Sequence, residues 1–282
     1  MDKLEEQWPR ISELACSRDS FDRTTALARA VSAIEQALIA VDIESGKRIG
    51  VTHRLKEWAS STKSKRIPSI SMLVKAVEFR NQAIHENEPP EAYQTAEAVS
   101  ILNEAWRCMR KSFVTKKKAI DIGMAILDSG AGTDVFLYGS LARGSKEPKD
   151  IDLLVFDNGD LSFLGLSYDK HNSWEMMDDL YKSSENKAAL KCGWLDTVYI
   201  DGELFGEDDE YTLHFAQRQR DPLFLLNVAD NLLRLDTNKG MWNKKFIPQK
   251  FVILAGLRKQ LERENIVAPQ RIQNKYGIET GG

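Results

Sequence analysis

Cysteine is scarce in this chain, with only Cys16, Cys108 and Cys192 among 282 residues. An odd, unclustered set excludes a disulfide framework and a zinc site. Three of the histidines, His53, His171 and His214, have no partner at metal-ligand spacing and read as surface or core residues. An excess of positive charge is missing too: the net charge is −3 and the pI about 5.9. Such a chain cannot hold nucleic acid by bulk attraction, so any such contact has to come from local patches. No apolar run approaches the roughly 20 residues that a membrane span needs. The opening MDKLEEQW carries acids where a signal peptide is apolar. Internal repeats and low-complexity segments are absent. A reduced, soluble, cytoplasmic protein without a membrane partner is the expectation.

What is present is enough apolar sequence for a core, 42% hydrophobic against 29% charged, which excludes wholesale disorder. The length suits two domains. The first 115 residues read as helical. Leu27, Val31, Ile34 and Leu38 fall on one helix face. A second helix reads from about Ser69 to Ala83, with Leu73, Ala76, Val77 and Phe79 as core candidates. ENEPP stops it, because prolines remove donors and clash with a continuing helix. A third helix starts near Pro90 and runs to about Phe113, on Ala96, Val99, Leu102, Trp106 and Met109.

The basic stretch Thr115–Lys118 marks the expected domain boundary. A short helix, KAIDIGMAILDSG, ends at Gly130. DVFLY then reads as a strand, GSLARG as a turn opening a helix, DIDLLVF as a second strand and GWLDTVYI as a third. From about Asp208 the chain reads as helical again, through DPLFLLNVADNLLRL and FVILAGLRKQLEREN, and its last ten residues are expected to fray.

The chemistry concentrates in YGSLARGSKEPKDIDLLVF, Tyr138 to Phe156. Gly139 has no Cβ, so backbone there can pass close to a ligand. Ser140 offers a hydroxyl and an N–H, and a helix start beside it suits a phosphate. Asp150 and Asp152 are two apart on an extended run and so share a face. Paired carboxylates repel unless a cation lies between them, and their oxygens favour Mg²⁺. Asp196 sits in another apolar run, where a charge needs a partner or a metal. Asp201 is its rival, although Asp201-Gly202 reads as a turn. Arg143 fits either a solvent-facing helix position or a phosphate contact.

Gly-Ser, nine residues, then Asp-x-Asp and an apolar run resembles the nucleotidyltransferase superfamily related to DNA polymerase β. Ala142-Arg143-Gly144 is similar to the minimal nucleotidyltransferase group within it. The resemblance implies a mixed sheet flanked by helices. It implies two Mg²⁺ ions on Asp150 and Asp152, with Asp196 as third carboxylate helping to activate the attacking hydroxyl. It also implies a nucleoside triphosphate, ATP first, held at Gly139 and Ser140. Two such metals would stabilise the attacking and leaving oxygens at the α-phosphorus.

A second signal is FRNQAIHENEPP. His85 can move a proton at cytoplasmic pH, and Arg80 can grip a phosphate with two hydrogen bonds. Together they could cleave RNA without metal, the ribose 2′-OH attacking. Arg80-Asn81-Gln82-Ala83-Ile84-His85 resembles the HEPN family of nucleotide-binding helical domains, over roughly residues 1–115. That resemblance implies a ribonuclease site formed where two copies meet, hence a homo-oligomer. Some members of that family paired with minimal nucleotidyltransferases carry a nucleotidylated Tyr two residues after the His. Here that position is Asn87, and Tyr93 is the nearest tyrosine.

The fold class expected is therefore α+β in three segments. Residues 1–115 form a HEPN-like helical bundle, 116–206 a nucleotidyltransferase domain, and 207–282 a helical extension. The expected function is Mg²⁺-dependent transfer of NMP from an NTP to an RNA 3′ end, a protein side chain or a small molecule. By analogy the fusion suggests a self-regulated ribonuclease of toxin–antitoxin or phage-defence type. The rivals are a HEPN ribonuclease with the transferase as nucleotide sensor, a non-catalytic nucleotide-binding regulator, and an antibiotic nucleotidyltransferase. Trp174, Trp194 and Trp242 suit core packing or base stacking. Lys116–Lys118, and Lys244-Lys245 with Lys250, are basic clusters that fit a solvated face or a path for RNA or a triphosphate. The acidic run Glu207–Glu210 reads as an exposed loop.

Overall fold

The computed structural model describes residues 4–41, 50–61, 67–85, 90–130, 132–157, 184–201 and 231–244. Within them the chain is mixed α and β, a helical N-terminal region preceding a sheet. It divides into two compact units, one of residues 1–115 with 181–195, the other of 116–180 with 196–282.

The first unit is built from α1 (Leu4–Ala15), α2 (Ser20–Val41), α3 (Val51–Ser61), α4 (Ile70–His85), α5 (Ala92–Phe113) and α8 (Ser184–Cys192). Asp19 starts α2 by accepting the Phe21 N–H at 2.8 Å, and Ser69 starts α4 by accepting the Met72 N–H at 3.3 Å. The central helix is α2, which packs on α1, α4, α5 and α8. Leu27, Val31, Ile34 and Leu38 are all buried on it, together with five alanines, Ala26, Ala30, Ala33, Ala37 and Ala40, that let neighbours approach. By length and composition alone α2 is apolar enough to cross a membrane, a feature that reading for uninterrupted apolar runs passes over. Its packing accounts for that apolarity, since half of the qualifying window is buried within the protein. Leu73, Ala76 and Val77 are buried on α4, and Val99, Leu102, Trp106 and Met109 on α5. Phe79 and Ala96, expected in the core, are only half-buried. Trp106 packs between Trp8 and Trp194, with ring centroids at 5.9 and 5.2 Å.

Residues 181–195 belong to this helical unit, although by sequence they fall inside the stretch expected to form the transferase domain. Apolar packing explains the placement: Ala188, Ala189, Cys192 and Trp194 are fully buried, and Trp194 lies against Trp106 and Phe113.

The second unit contains α6 (Lys116–Asp128), β1 (Asp134–Tyr138), the one-turn α7 (Gly139–Ala142), β2 (Ile151–Asp157), β3 (Leu195–Asp201), β4 (Leu233–Asp236) and β5 (Met241–Asn243). The five strands are ordered β3-β2-β1-β4-β5. β1 is antiparallel to both β2 and β4, with Tyr138 opposite Asp152, Leu137 opposite Leu153, and Leu137 opposite Leu233 on the other side. β4 is antiparallel to β5, with Leu235 opposite Trp242. Gly123 brings α6 close to the sheet: a Cβ there would lie 2.9 Å from Leu235 Cδ2 and 3.3 Å from Val135 Cγ1. Arg234 on β4 reaches across to Asp134 at 2.7 Å.

β4 and β5 correct the expectation of a wholly helical C-terminal segment. Leu233 and Leu235 are buried while Arg234 is exposed, a period of two, and β1 takes them as its neighbour. Four residues are too few for a period of two to stand out from one of 3.6. The rest of that segment, including FVILAGLRKQLEREN, lies outside the described residues.

Candidate nucleotide site

β1 ends at Tyr138, and the chain turns at Gly139 into α7. Gly139 takes φ +71°, a left-handed conformation that a Cβ disfavours. It is also crowded, since a Cβ there would sit 1.8 Å from Asp152 Oδ2 and 2.7 Å from its Cγ. Two independent demands therefore require glycine at one position. Asp152 comes to this turn because it faces Tyr138 across the β1–β2 ladder, and the next step along β1 is Gly139. The Ser140 hydroxyl is buried and has no hydrogen-bond partner among the described residues. A buried unbonded hydroxyl is costly and points to a bound water or ligand. The Ser140 carbonyl accepts the Ser145 N–H at 3.1 Å.

Asp150 immediately precedes β2, and fully buried Ile151 separates it from Asp152. Alternation puts both carboxylates on one face, and both residues are half-buried. Asp196 is the second residue of β3, the strand next to β2, and is half-buried as well. Its rival Asp201 ends β3 within the strand, and that side chain lies outside the described ones. Arg143 closes α7 as its C-cap and is exposed. Because α7 is a single turn, phosphate binding here would rest on the Ser140 hydroxyl and nearby side chains more than on a helix dipole.

The donor chemistry suits a hard divalent cation: carboxylates from adjacent strands, two of them in strand alternation, and none of the described cysteines or histidines among them. Among the described residues, however, no three carboxylates, histidines or thiols are gathered at metal-ligand distance.

The helical unit carries the second candidate set. Arg80 and His85 both lie on α4, His85 as its last residue. Arg80 is half-buried, donates from Nη1 to Asn81 Oδ1 at 2.9 Å, and has its Nε buried without a partner among the described residues. His85 is exposed. Five residues along a helix turn the direction by roughly 140°, so the two side chains leave α4 on different sides. Asn87 lies outside the described residues, and Tyr93 is exposed at the start of α5. The two candidate sets thus belong to different compact units.

Of the weaker signals, His53 is exposed and bonded to Glu57 at 3.1 Å. His171, His214, Trp174, Lys245, Lys250 and Glu207–Glu210 lie outside the described residues. Trp194 is core, and the half-buried Trp242 donates its indole N–H to the Lys116 carbonyl at 3.2 Å. That last contact joins residues 126 apart in sequence and has no local signal. Tyr138, buried opposite Asp152, is a further part of the site, and its position directly before Gly-Ser is the only sign of it in the sequence.

No protein-family model, curated protein or solved structure matches the chain.

Proposed function

We propose that the chain is a Mg²⁺-dependent nucleotidyltransferase of the polymerase β-like superfamily, moving a nucleoside monophosphate from an NTP to a hydroxyl. One observation carries the reading: left-handed Gly139 lets the Asp152 carboxylate close over the turn, beside a buried and unbonded Ser140 hydroxyl. A glycine required in this way, a carboxylate and an unbonded donor form a cradle for a metal-bound phosphate rather than a plain strand end. Asp150 and Asp152 would hold the metal, with Asp196 on the adjacent strand. Two bound Mg²⁺ ions would supply charge neutralisation at the α-phosphorus. Ser140 then donates its hydroxyl to a phosphate oxygen, and Arg143 reaches the outer phosphates from the end of α7. Asp196 accepts a hydrogen bond from the attacking hydroxyl and orients it. The products are pyrophosphate and the nucleotidylated acceptor, an RNA 3′ end or a protein side chain. The setting fits a cytoplasmic protein, homo-oligomeric through its helical unit, in which a HEPN-like ribonuclease and a transferase regulate each other.

Equilibrium binding of each Mg²⁺–NTP to wild type, Asp152→Asn and Gly139→Ala tests the cradle. Wild type should bind at least one NTP, with both variants weaker by tenfold or more. Binding that is equal in all three proteins rules the cradle out. The orphaned Arg80 Nε supports a second reading in which RNA cleavage by Arg80 and His85 is the output and the nucleotide site a sensor. His85→Ala should then abolish RNA shortening while Asp152→Ala leaves it intact. Nucleotide binding without pyrophosphate release would instead make the chain a non-catalytic regulator.

A further inference from the structure

Lysines that lie far apart in the sequence, Lys116–Lys118 and Lys244, meet on one surface. Lys116, Lys117 and Lys118 form the first turn of α6. Lys244 follows β5 two residues after Trp242, whose indole N–H is bonded to the Lys116 carbonyl at 3.2 Å. Trp242 also lies on the α6 side of the sheet, its Cη2 3.7 Å from where a Gly123 Cβ would stand. Lys116, Lys117 and Lys244 are exposed, and none of the three is ion-paired among the described residues. No acid stands in the first turn of α6. Lysines there oppose the helix dipole and repel one another, so they suit an anion supplied from outside.

Their place in the unit is defined by the strand ladder. Five residues separate the end of α6 at Asp128 from β1 at Asp134, so α6 runs back along β1. Gly123 lies at the level of Val135, and the start of α6 therefore lies toward the Tyr138 end. On the other side, Asn243 pairs with Arg234, and Arg234 with Phe136. The next step, Lys244, falls level with Leu137, two strand spacings or about 10 Å from β1. All four lysines thus edge the end of the sheet where Gly139 meets Asp152, although they rise on the α6 side and Asp152 faces the other. Lys239, in the β4–β5 turn, stands at the opposite end.

We propose that this lysine edge binds the phosphate backbone of single-stranded RNA and leads it over the end of the sheet, which makes RNA the acceptor. Single-stranded RNA fits better than an acidic protein segment, because its phosphates repeat at short, regular intervals along a flexible chain. The choice of acceptor rests on the transferase reading; the RNA-binding surface does not.

The test uses the full chain, a fluorescein-labelled oligoadenylate of about twelve nucleotides, and anisotropy titrations over a range of salt without NTP. The variants are Lys116→Ala/Lys117→Ala/Lys244→Ala and, as control, Lys239→Ala. At low salt the triple variant should bind at least tenfold more weakly. Its log–log salt slope should be shallower by about 2, at ~0.7 per lost phosphate contact. Lys239→Ala should match wild type. Circular dichroism checks that the triple variant is folded, and single Lys116→Glu and Lys244→Glu variants should each weaken binding. Unchanged affinity and salt slope in the triple variant overturn the proposal, as does polyglutamate competing as well as unlabelled RNA. Mg²⁺–NTP binding, measured separately, keeps the two claims apart. Lysine-dependent RNA binding in a protein that binds no NTP supports the surface and defeats the transferase reading. Intact NTP binding with lysine-independent RNA affinity does the reverse.

Discussion

Replacing Gly139 by alanine should be far more damaging than the same change at Gly144, five residues on. Both glycines hold a left-handed backbone, φ +71° and +78°. An alanine in that region costs about 1–2 kcal/mol, offset in part by about 0.4–1 kcal/mol from the less flexible unfolded chain. Gly144 has open space where its Cβ would go, so the net cost there is about 1 kcal/mol. At Gly139 the new methyl would stand 1.8 Å from Asp152 Oδ2, and the carboxylate must turn away. That crowding adds about 1–3 kcal/mol, for a total of about 2–4 kcal/mol. Two compact units make a whole-chain melt a mixture of transitions. Hydrogen exchange of the amides of β1 and β2 is the more direct readout, and Gly139→Ala should speed it at least tenfold beyond Gly144→Ala. An Asp152→Ala background removes the two closest contacts and leaves the residue 152 Cβ at 3.2 Å, so the excess cost of Gly139→Ala should largely vanish. Equal effects of the two glycine substitutions in the wild-type background would refute the close approach on which the site is built.

Three further outcomes follow from the packing. Gly123→Ala gains about 0.5–1 kcal/mol of helix propensity but meets Leu235 and Val135 at 2.9 and 3.3 Å. A net loss of about 1 kcal/mol is expected, recovered by pairing it with Leu235→Val; a stabilised single variant would show that α6 does not lie so close to β4. Trp106→Ala should destabilise the helical unit by about 3–5 kcal/mol, since that side chain fills the space between Trp8 and Trp194, and thermal melts of the helical signal would show it. Burial pushes the Cys192 thiol up to about 12, outweighing the indole of Trp106, which pulls it down. At pH 8 a thiol reagent should therefore label exposed Cys16 and spare Cys192 until denaturant is added. The unfolded thiol ionises near 9 and the folded one does not, so stability should fall as pH rises from about 9 toward 12. Rapid native labelling of Cys192 would contradict that burial.

The helical half was legible because long helices repeat their apolar spacing several times. Leu27 through Leu38 and Val99 through Met109 declare their faces without help from the rest of the chain. β1 and β2 were legible as short apolar runs around a turn signal, and the register makes a ladder of them. β4 was not legible, because Leu233 and Leu235 acquire meaning only when β1 offers an edge. A hint was present in Asn238 and Gly240, turn residues between two short alternating runs. The recruitment of residues 181–195 into the helical unit was also hidden, since Trp194 finds Trp106 and Phe113 only in three dimensions. At the site, glycine, serine and the aspartates could be named from spacing alone. That Asp152 closes over Gly139, and that Trp242 brings Lys244 to Lys116, depends on strand register and helix docking.

Transfer itself is the most direct test of the account. Wild type and Asp152→Ala would each be incubated with Mg²⁺ and an α-labelled NTP, with and without RNA, and the products separated as RNA and protein. Wild type should put label on RNA and release pyrophosphate in equal amount, and Asp152→Ala should do neither. No transfer from any of the four NTPs, or equal labelling by the Asp152→Ala variant, would contradict it.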